Sequence, residues 1–530
     1  MRAPVGRVPV LWLSLLAGLL LAGAGCGLGQ TGIDPPMDQI FLPGGLAVDP
    51  DGNWLYVINS NNDLRFNAGT LLALDLQKAN LDLQRAKAPG ETGLPPWPEC
   101  STTHFTDDEA PETRGTTLDQ PCCFDRLRPH VLNCNERAYV QADATVQIGS
   151  FGGDAIIQTY QGVDGESVRR IFMMVRAEPS ITFVDVTHGN GSVHMRCNGA
   201  RYDADQQLLN PFCDDNWRIR RPSGSAITDN VLPEEPHAMA LDQAWGILYV
   251  AHLTVTVNRQ PVGGGVSTID VNALLDPNAP NVINSIARVV FPTSSVQGVT
   301  ALTLHDPGKT SGVLYAVARS SADITGLVLQ KCHDPGQIQE PGQICDASSP
   351  VRDLSLVPGE QITSSVFLPS GTDIRGFLLS PDGKPDENRA YVLHRNTPES
   401  TTSSDPAALV VLDRRPDQNG EPANRPSAIL EVCSGPTHMQ FHDAGRGSLL
   451  FITCFEGGQI YVVDPQAPQV MAIIEAGHGP TALTFSPTDP TIAFVAGYAD
   501  NNVSVIDLEP GSPTEYMVEQ DLGFPHAVTQ

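Results

Sequence analysis

Residues 48–59 read Val48-Asp49-Pro50-Asp51-Gly52-Asn53-Trp54-Leu55-Tyr56-Val57-Ile58-Asn59. The Asp51-Gly52 step supplies the positive φ that a tight hairpin needs, and an apolar aromatic run follows at strand length. Six further aromatic or apolar runs echo it: Phe172-Met173-Met174, Leu248-Tyr249-Val250, Leu314-Tyr315-Ala316, Ala390-Tyr391-Val392, Leu450-Phe451-Ile452 and Ala493-Phe494-Val495. A short apolar strand after Gly or Pro precedes most of them, as in Gly45-Leu46-Ala47-Val48 and His438-Met439-Gln440-Phe441. Downstream, a strand ends near Asp75, Asp185, Asp270, Asp413, Asp464 or Asp507, and the unit around Val328 lacks this aspartate.

The tightest repeat, Phe451 to Phe494, spans 43 residues, the length of one four-stranded propeller blade. Such a unit cannot bury both faces of its strands alone, so stacking units around an axis is the stable solution. Seven units predict an all-β, seven-bladed β-propeller over residues 38–530, with eight blades as the alternative count. Gln39-Ile40-Phe41-Leu42 and Pro525-His526-Ala527-Val528 are both placed to supply a strand where the ring closes.

Residues 48–59, with Tyr56 to Asn59 reading YVIN, and Leu379-Ser380-Pro381-Asp382-Gly383 resemble the YVTN-type propeller repeats of bacterial exported and surface-layer proteins. The resemblance implies blade architecture and leaves activity open, since the scaffold hosts binders and enzymes alike.

The N-terminus carries an address. Arg2 and Arg7 precede an apolar run from Val8 to Leu21, then Ala22-Gly23-Ala24-Gly25-Cys26. A run of about 15 apolar residues suits a cleaved export signal better than a spanning helix, which needs roughly 20. The small residues before Cys26 resemble a bacterial lipobox, although Gly23 stands where such motifs usually carry Leu. The resemblance implies a signal peptide at 1–25, lipidation of Cys26, a linker at 26–37 and a membrane anchor in the cell envelope. Gly27 in place of Asp favours the outer membrane.

Cysteine usage fits an oxidising compartment. Besides Cys26 there are ten: Cys100, Cys122, Cys123 and Cys134; Cys197 and Cys213; Cys332 and Cys345; Cys433 and Cys454. Their local grouping predicts disulfides, with Cys197–Cys213 and Cys332–Cys345 each closing a short loop worth about 3 kcal/mol. Three connectivities are open among the first four. No paired CxxC or CxxCH spacing points to a metal or haem. The formal charge of −28, about −30 once the signal arginines are removed, argues against a nucleic-acid partner.

Three stretches depart from the repeat: 79–140, rich in Pro and carrying four cysteines, 187–235 and 331–360. Projecting from one face, they would form a contact surface; otherwise they are staples. For chemistry, His237 and His526 follow Pro at the start of an innermost-type strand. Arg375 and Thr437 fall in the column of His237, with His438 one place later. These positions ring the axial channel and are candidates for an anion or metal, against the plainer reading of polar residues filling a wet channel. Asp49 to Asn53 reads as a hairpin turn, and the strand-end aspartates read as turn caps. No GxSxG, HExxH, P-loop or GxGxxG stands in a catalytic context, so no catalytic residue, resident metal or cofactor is assigned. The expectation is a lipid-anchored module binding a protein, peptide or glycan through its loop face. The alternative is an envelope enzyme over the channel, a metal-dependent hydrolase or lactonase, or a quinoprotein-like oxidoreductase.

Overall fold

The computed structural model describes residues 32–523 except 89–94, 101–115, 163–164, 190, 200–211, 221–231, 258–259, 272–285, 291–297, 309–311, 320–322, 330–355, 364–372, 382–387 and 396–406. Seven antiparallel sheets follow one another along the chain, giving a seven-bladed propeller and not the eight-bladed alternative. The innermost strands of blades 1 to 7 are Pro43–Val48, Gly152–Gln161, Pro236–Asp242, Val299–His305, Asp373–Leu379, Pro436–Asp443 and Pro480–Phe485. Each packs on the next around the axis, and Pro43–Val48 also packs on Pro480–Phe485, closing the ring.

The second strand of every blade is the aromatic run read from the sequence. It is sandwiched between neighbouring blades, so both of its faces must be apolar. Tyr56, Phe172, Tyr249, Tyr315, Tyr391, Phe451 and Phe494 are all buried. The core is therefore a set of inter-blade layers; Leu55, Val57 and Leu72 of blade 1 pack with Phe494, Val503 and Val505 of blade 7 across the closure.

Among the described residues no terminal strand closes the ring. Residues 39–42 form none; instead the Leu42 amide donates to Asn501 Oδ1 at 2.7 Å, tying blade 1 to blade 7. Residues 525–528 lie outside the described residues. The outer edge of blade 7 is extended by an insertion from blade 1. After the third strand of that blade, Gly69–Asp75, the chain forms helix α1, Leu76–Lys87, whose first turn is capped by Asp75 accepting from the Lys78 amide at 3.0 Å. A helix here was not anticipated; the strand-end aspartate serves as its N-cap. A hairpin, Cys122–Phe124 with Leu132–Cys134, then adds in parallel to the outermost strand of blade 7, Met517–Leu522. Arg128 pairs with Asp521 at 2.9 Å and Lys87 with Glu519 at 2.7 Å. Cys100 is bonded to Cys123 and Cys122 to Cys134, which selects one of the three open connectivities.

A second insertion behaves alike. Phe212–Cys213 adds in parallel to the outer strand of blade 1, Val146–Ile148, and Arg218–Arg220 pairs with Ser180–His188 of blade 2, with Cys197–Cys213 between them. Cys433–Cys454 is also bonded, while Cys332 and Cys345 lie outside the described residues. The described parts of both insertions thus run along the outer edges of blades 7, 1 and 2, where they cover strand edges that would otherwise be unpaired. These described parts act as staples along the rim.

The decisive stretch folds as read. The Gly52 amide, with φ +72°, donates to Asp49 O at 2.7 Å, closing the turn. Asp49, with no solvent exposure, accepts from Tyr56 Oη at 3.0 Å and from the Asp51 amide at 2.9 Å, and meets His188 Nε2 at 2.8 Å and Arg169 at 3.2 Å from blade 2. Burial alone would push this carboxyl up, but its hydrogen bonds and the charges of His188 and Arg169 hold it below the ordinary 3.8. Its stabilisation is therefore complete above the ordinary carboxylate range and is lost as pH falls through the depressed folded value. Asp49→Asn should lower unfolding free energy by about 3 kcal/mol at pH 7, measured by urea denaturation, because it strands buried partners. The gap from the parent protein should narrow below pH ~4 as Asp49 protonates in the parent.

Candidate functional site

Every innermost strand carries a β-bulge near its start, where two residues face one on the neighbouring strand. Stacking the blades on this bulge gives two rings around one end of the channel. The first is Gly44, Gly153, His237, Thr300, Arg375, Thr437 and Thr481. The second, one residue deeper, is Gly45, Asp154, Ala238, Ala301, Gly376, His438 and Ala482. A bulge re-aims side chains that would otherwise alternate across the sheet.

Five of the seven residues in the second ring are Gly or Ala, and blade packing explains why. A Cβ added to Gly45 would lie 2.3 Å from the Gly153 carbonyl oxygen, the backbone of the next blade. At Gly376 it would approach the Met439 side chain at 3.1 Å. A longer side chain cannot lie between blades at this level and must turn towards the axis. By this packing argument the exposed side chains of Asp154 and His438 face the axis, and burial still shifts both groups. Between them around the ring stand only Ala482 and Gly45, so the two act on each other electrostatically across that gap. Burial pushes Asp154 up against the pull of His438, and pushes His438 down against Asp154 and a hydrogen bond with Gln440. Each is displaced towards its neutral form.

In the first ring the threonines are occupied by the scaffold. Thr300 Oγ1 donates to Ile374 O at 2.9 Å, Thr481 Oγ1 to Pro43 O at 3.0 Å and Thr437 Oγ1 to Thr453 O at 3.4 Å. His237 and Arg375 differ. Burial, then the charges of Arg176, Arg375 and Arg319, push the His237 imidazole down to about 4, so it is neutral at pH 7. Arg375 donates to Asp373 at 2.8 Å, and burial with the neighbouring Arg395 and Arg319 lowers it.

Of the sequence candidates, His237, Arg375 and Thr437 share the first ring and His438 lies in the second, while Cys26 and His526 lie outside the described residues. Sequence reasoning missed Asp154, because the first strand of the second unit was not recognised behind Gly152-Gly153. It also missed Arg176, Arg319 and Arg395. Each follows the landmark aromatic of its unit by four residues, after Phe172, Tyr315 and Tyr391, so the repeat itself carried the signal. Most strand-end aspartates cap turns: Asp464 accepts from the Gln466 amide at 2.8 Å and Asp507 from the Glu509 amide at 2.8 Å. Asp185 instead holds Arg170 at 2.6 Å. Among the described residues no three His, Cys, Asp or Glu side chains gather as a metal would require, and no helix is long and apolar enough to cross a membrane.

No family model and no curated protein matches the chain. Among solved structures it is similar to hydrazine synthase of Kuenenia stuttgartiensis (13% identity, 93% of this chain and 100% of that one, TM-score 0.44). It is also similar to the periplasmic gluconolactonase PpgL of Pseudomonas aeruginosa (17%, 70% and 97%, 0.36). A third similarity is to the β-propeller domain of Myceliophthora thermophila Cps50 (Swd1) (10%, 79% and 95%, 0.34). All three fall below 0.5 in TM-score, and the propeller assignment rests on this chain's own strand order.

Replacing Arg319 by Gln removes a like charge beside His237. The His237 resonance should then titrate at higher pH than in the parent protein, followed by NMR, and an unchanged midpoint would contradict the proximity of the two groups.

Proposed function

We propose that this chain is an exported propeller, anchored to the outer membrane through lipidated Cys26, which binds a protein, peptide or glycan by taking a polar end group into the mouth of its axial channel. One observation carries the reading. In a ring where packing reduces five positions to Gly or Ala, Asp154 and His438 keep polar side chains directed at the axis. The placement of the described insertions along the rim supports the channel mouth, in preference to an insertion-covered face, as the place of contact.

A ligand carried through purification should be detected by native mass spectrometry of protein extracted from its own envelope. Ala301→Phe, which fills the ring without removing a charge, should displace it while thermal unfolding shows a folded chain; full retention would reject the channel as the site. Cys26→Ser should move the protein from the membrane to the soluble fraction with its fold unchanged, and persistent membrane association would reject the anchor.

The electrostatic coupling of Asp154 with His438 favours a second reading, hydrolysis at the channel mouth. A neutral imidazole takes a proton from water and a protonated carboxyl returns one to the leaving group. Asp154→Asn and His438→Gln should then each abolish turnover of the displaced ligand while leaving its binding within a few-fold. Loss of binding in step with turnover would leave only the binding role.

A further inference from the structure

Asp373, 2% exposed, lies at the centre of a basic cluster. Its Cα pairs with Arg395 across the strand, and Arg319 of blade 4 forms a β-bridge to it. Its carboxylate takes the guanidinium of Arg375. Arg176 of blade 2, like Arg319 and Arg395, stands four residues after the landmark aromatic, at the same end of its second strand. Glu456 contacts Arg395 from blade 6. Arg375 feels the charges of Arg319 and Arg395, and His237 those of Arg176, Arg319 and Arg375, so His237 links Arg176 to the cluster, in a chain with 60 acidic and 32 basic residues. The side chains of Arg176 and Arg319 are exposed and make no ion pair among the described residues. The Nε of Arg375 is buried and has no hydrogen-bond acceptor among them.

Such a cluster is costly unless an anion offsets it, because like charges close together repel and desolvated ones repel more. Glu178, two residues from Arg176, is spent on Arg218 at 2.6 Å, and Glu235, just before the innermost strand of blade 3, accepts from Thr254 at 2.9 Å. Glu178 and Glu235 thus have other partners. Guanidinium groups present planar forks matched to carboxylate and phosphate oxygens.

We infer that this collar is an anion site, and that the end group received by the channel mouth is acidic: a compact carboxylate or phosphate group held by Arg176, Arg319 and Arg375. The inference rests on the channel-mouth reading and deepens it by naming the ligand's charge. Arg395, already engaged by Glu456, sets the positive field without being needed for contact.

The test titrates the mature protein with succinate and separately with pyrophosphate, by calorimetry at low and high salt. One-to-one binding that weakens with salt is expected, and the tighter of the two probes identifies carboxylate or phosphate chemistry. The double variant Arg176→Gln and Arg319→Gln, both exposed and safe for folding, should weaken binding at least ~10-fold, the loss of one or more charge-assisted hydrogen bonds. Arg425→Gln, on the exposed outer strand of blade 5, should leave it unchanged. No binding of either probe, or equal loss in the Arg425 variant, would overturn the inference. Should both anions fail while a native ligand is still displaced by Ala301→Phe, the charge assignment falls and the channel site stands. Should the probes bind the collar while that variant retains its ligand, the channel reading falls instead.

Discussion

The closeness of neighbouring inner strands governs this molecule. Seven sheets converge on one axis, and at the bulge level the backbone of one blade lies against the Cα of the next, as Gly45 against Gly153 shows. That approach dictates small residues around most of the ring, buries the aromatic second strands, and leaves a narrow space into which a longer side chain must turn. The distinction between scaffold and site follows from this one distance. Ala and Gly satisfy it, while Asp154 and His438 escape it by pointing inwards.

Polar groups outside the channel serve cohesion. Asp49 is shared between blades 1 and 2 through His188 and Arg169, and Glu360 joins Tyr315 of blade 4 to Arg414 of blade 5 at 2.9 and 3.0 Å. Burial would raise Glu360, but these partners and Asn424 hold it below its ordinary value. Such contacts fix how one blade sits on the next, so that residues distant in sequence hold their places in the rings.

The architecture was legible because a propeller repeats its physics. A buried aromatic strand needs a partner on each face, and the same need recurs seven times, from Tyr56 to Phe494. Turn chemistry at Asp49 to Gly52 was local and therefore readable. Ring membership was legible where the strand start stands out, by a Pro as at His237 or by alignment with its column as at Arg375. Asp154 escaped because two glycines disguise its strand, and the arginine column escaped because only three of seven units carry it. The docking of the Cys122 hairpin on Gln520 to Leu522, almost 400 residues away, is encoded in no local pattern.

That docking has a consequence for how the chain is made. The hairpin at 122–134 is available as soon as the first blade emerges, and its Cys122–Cys134 bond closes a loop of its own, yet the strand it grips, Met517–Leu522, is among the last to appear. For most of synthesis that edge of the hairpin lacks the blade-7 strand it docks on. Ring completion is thus a comparison of the beginning of the chain with its end, and a chain cut short before blade 7 is left with an open seam and a bare strand edge. Such a seam marks an unfinished molecule to any protease without a dedicated signal.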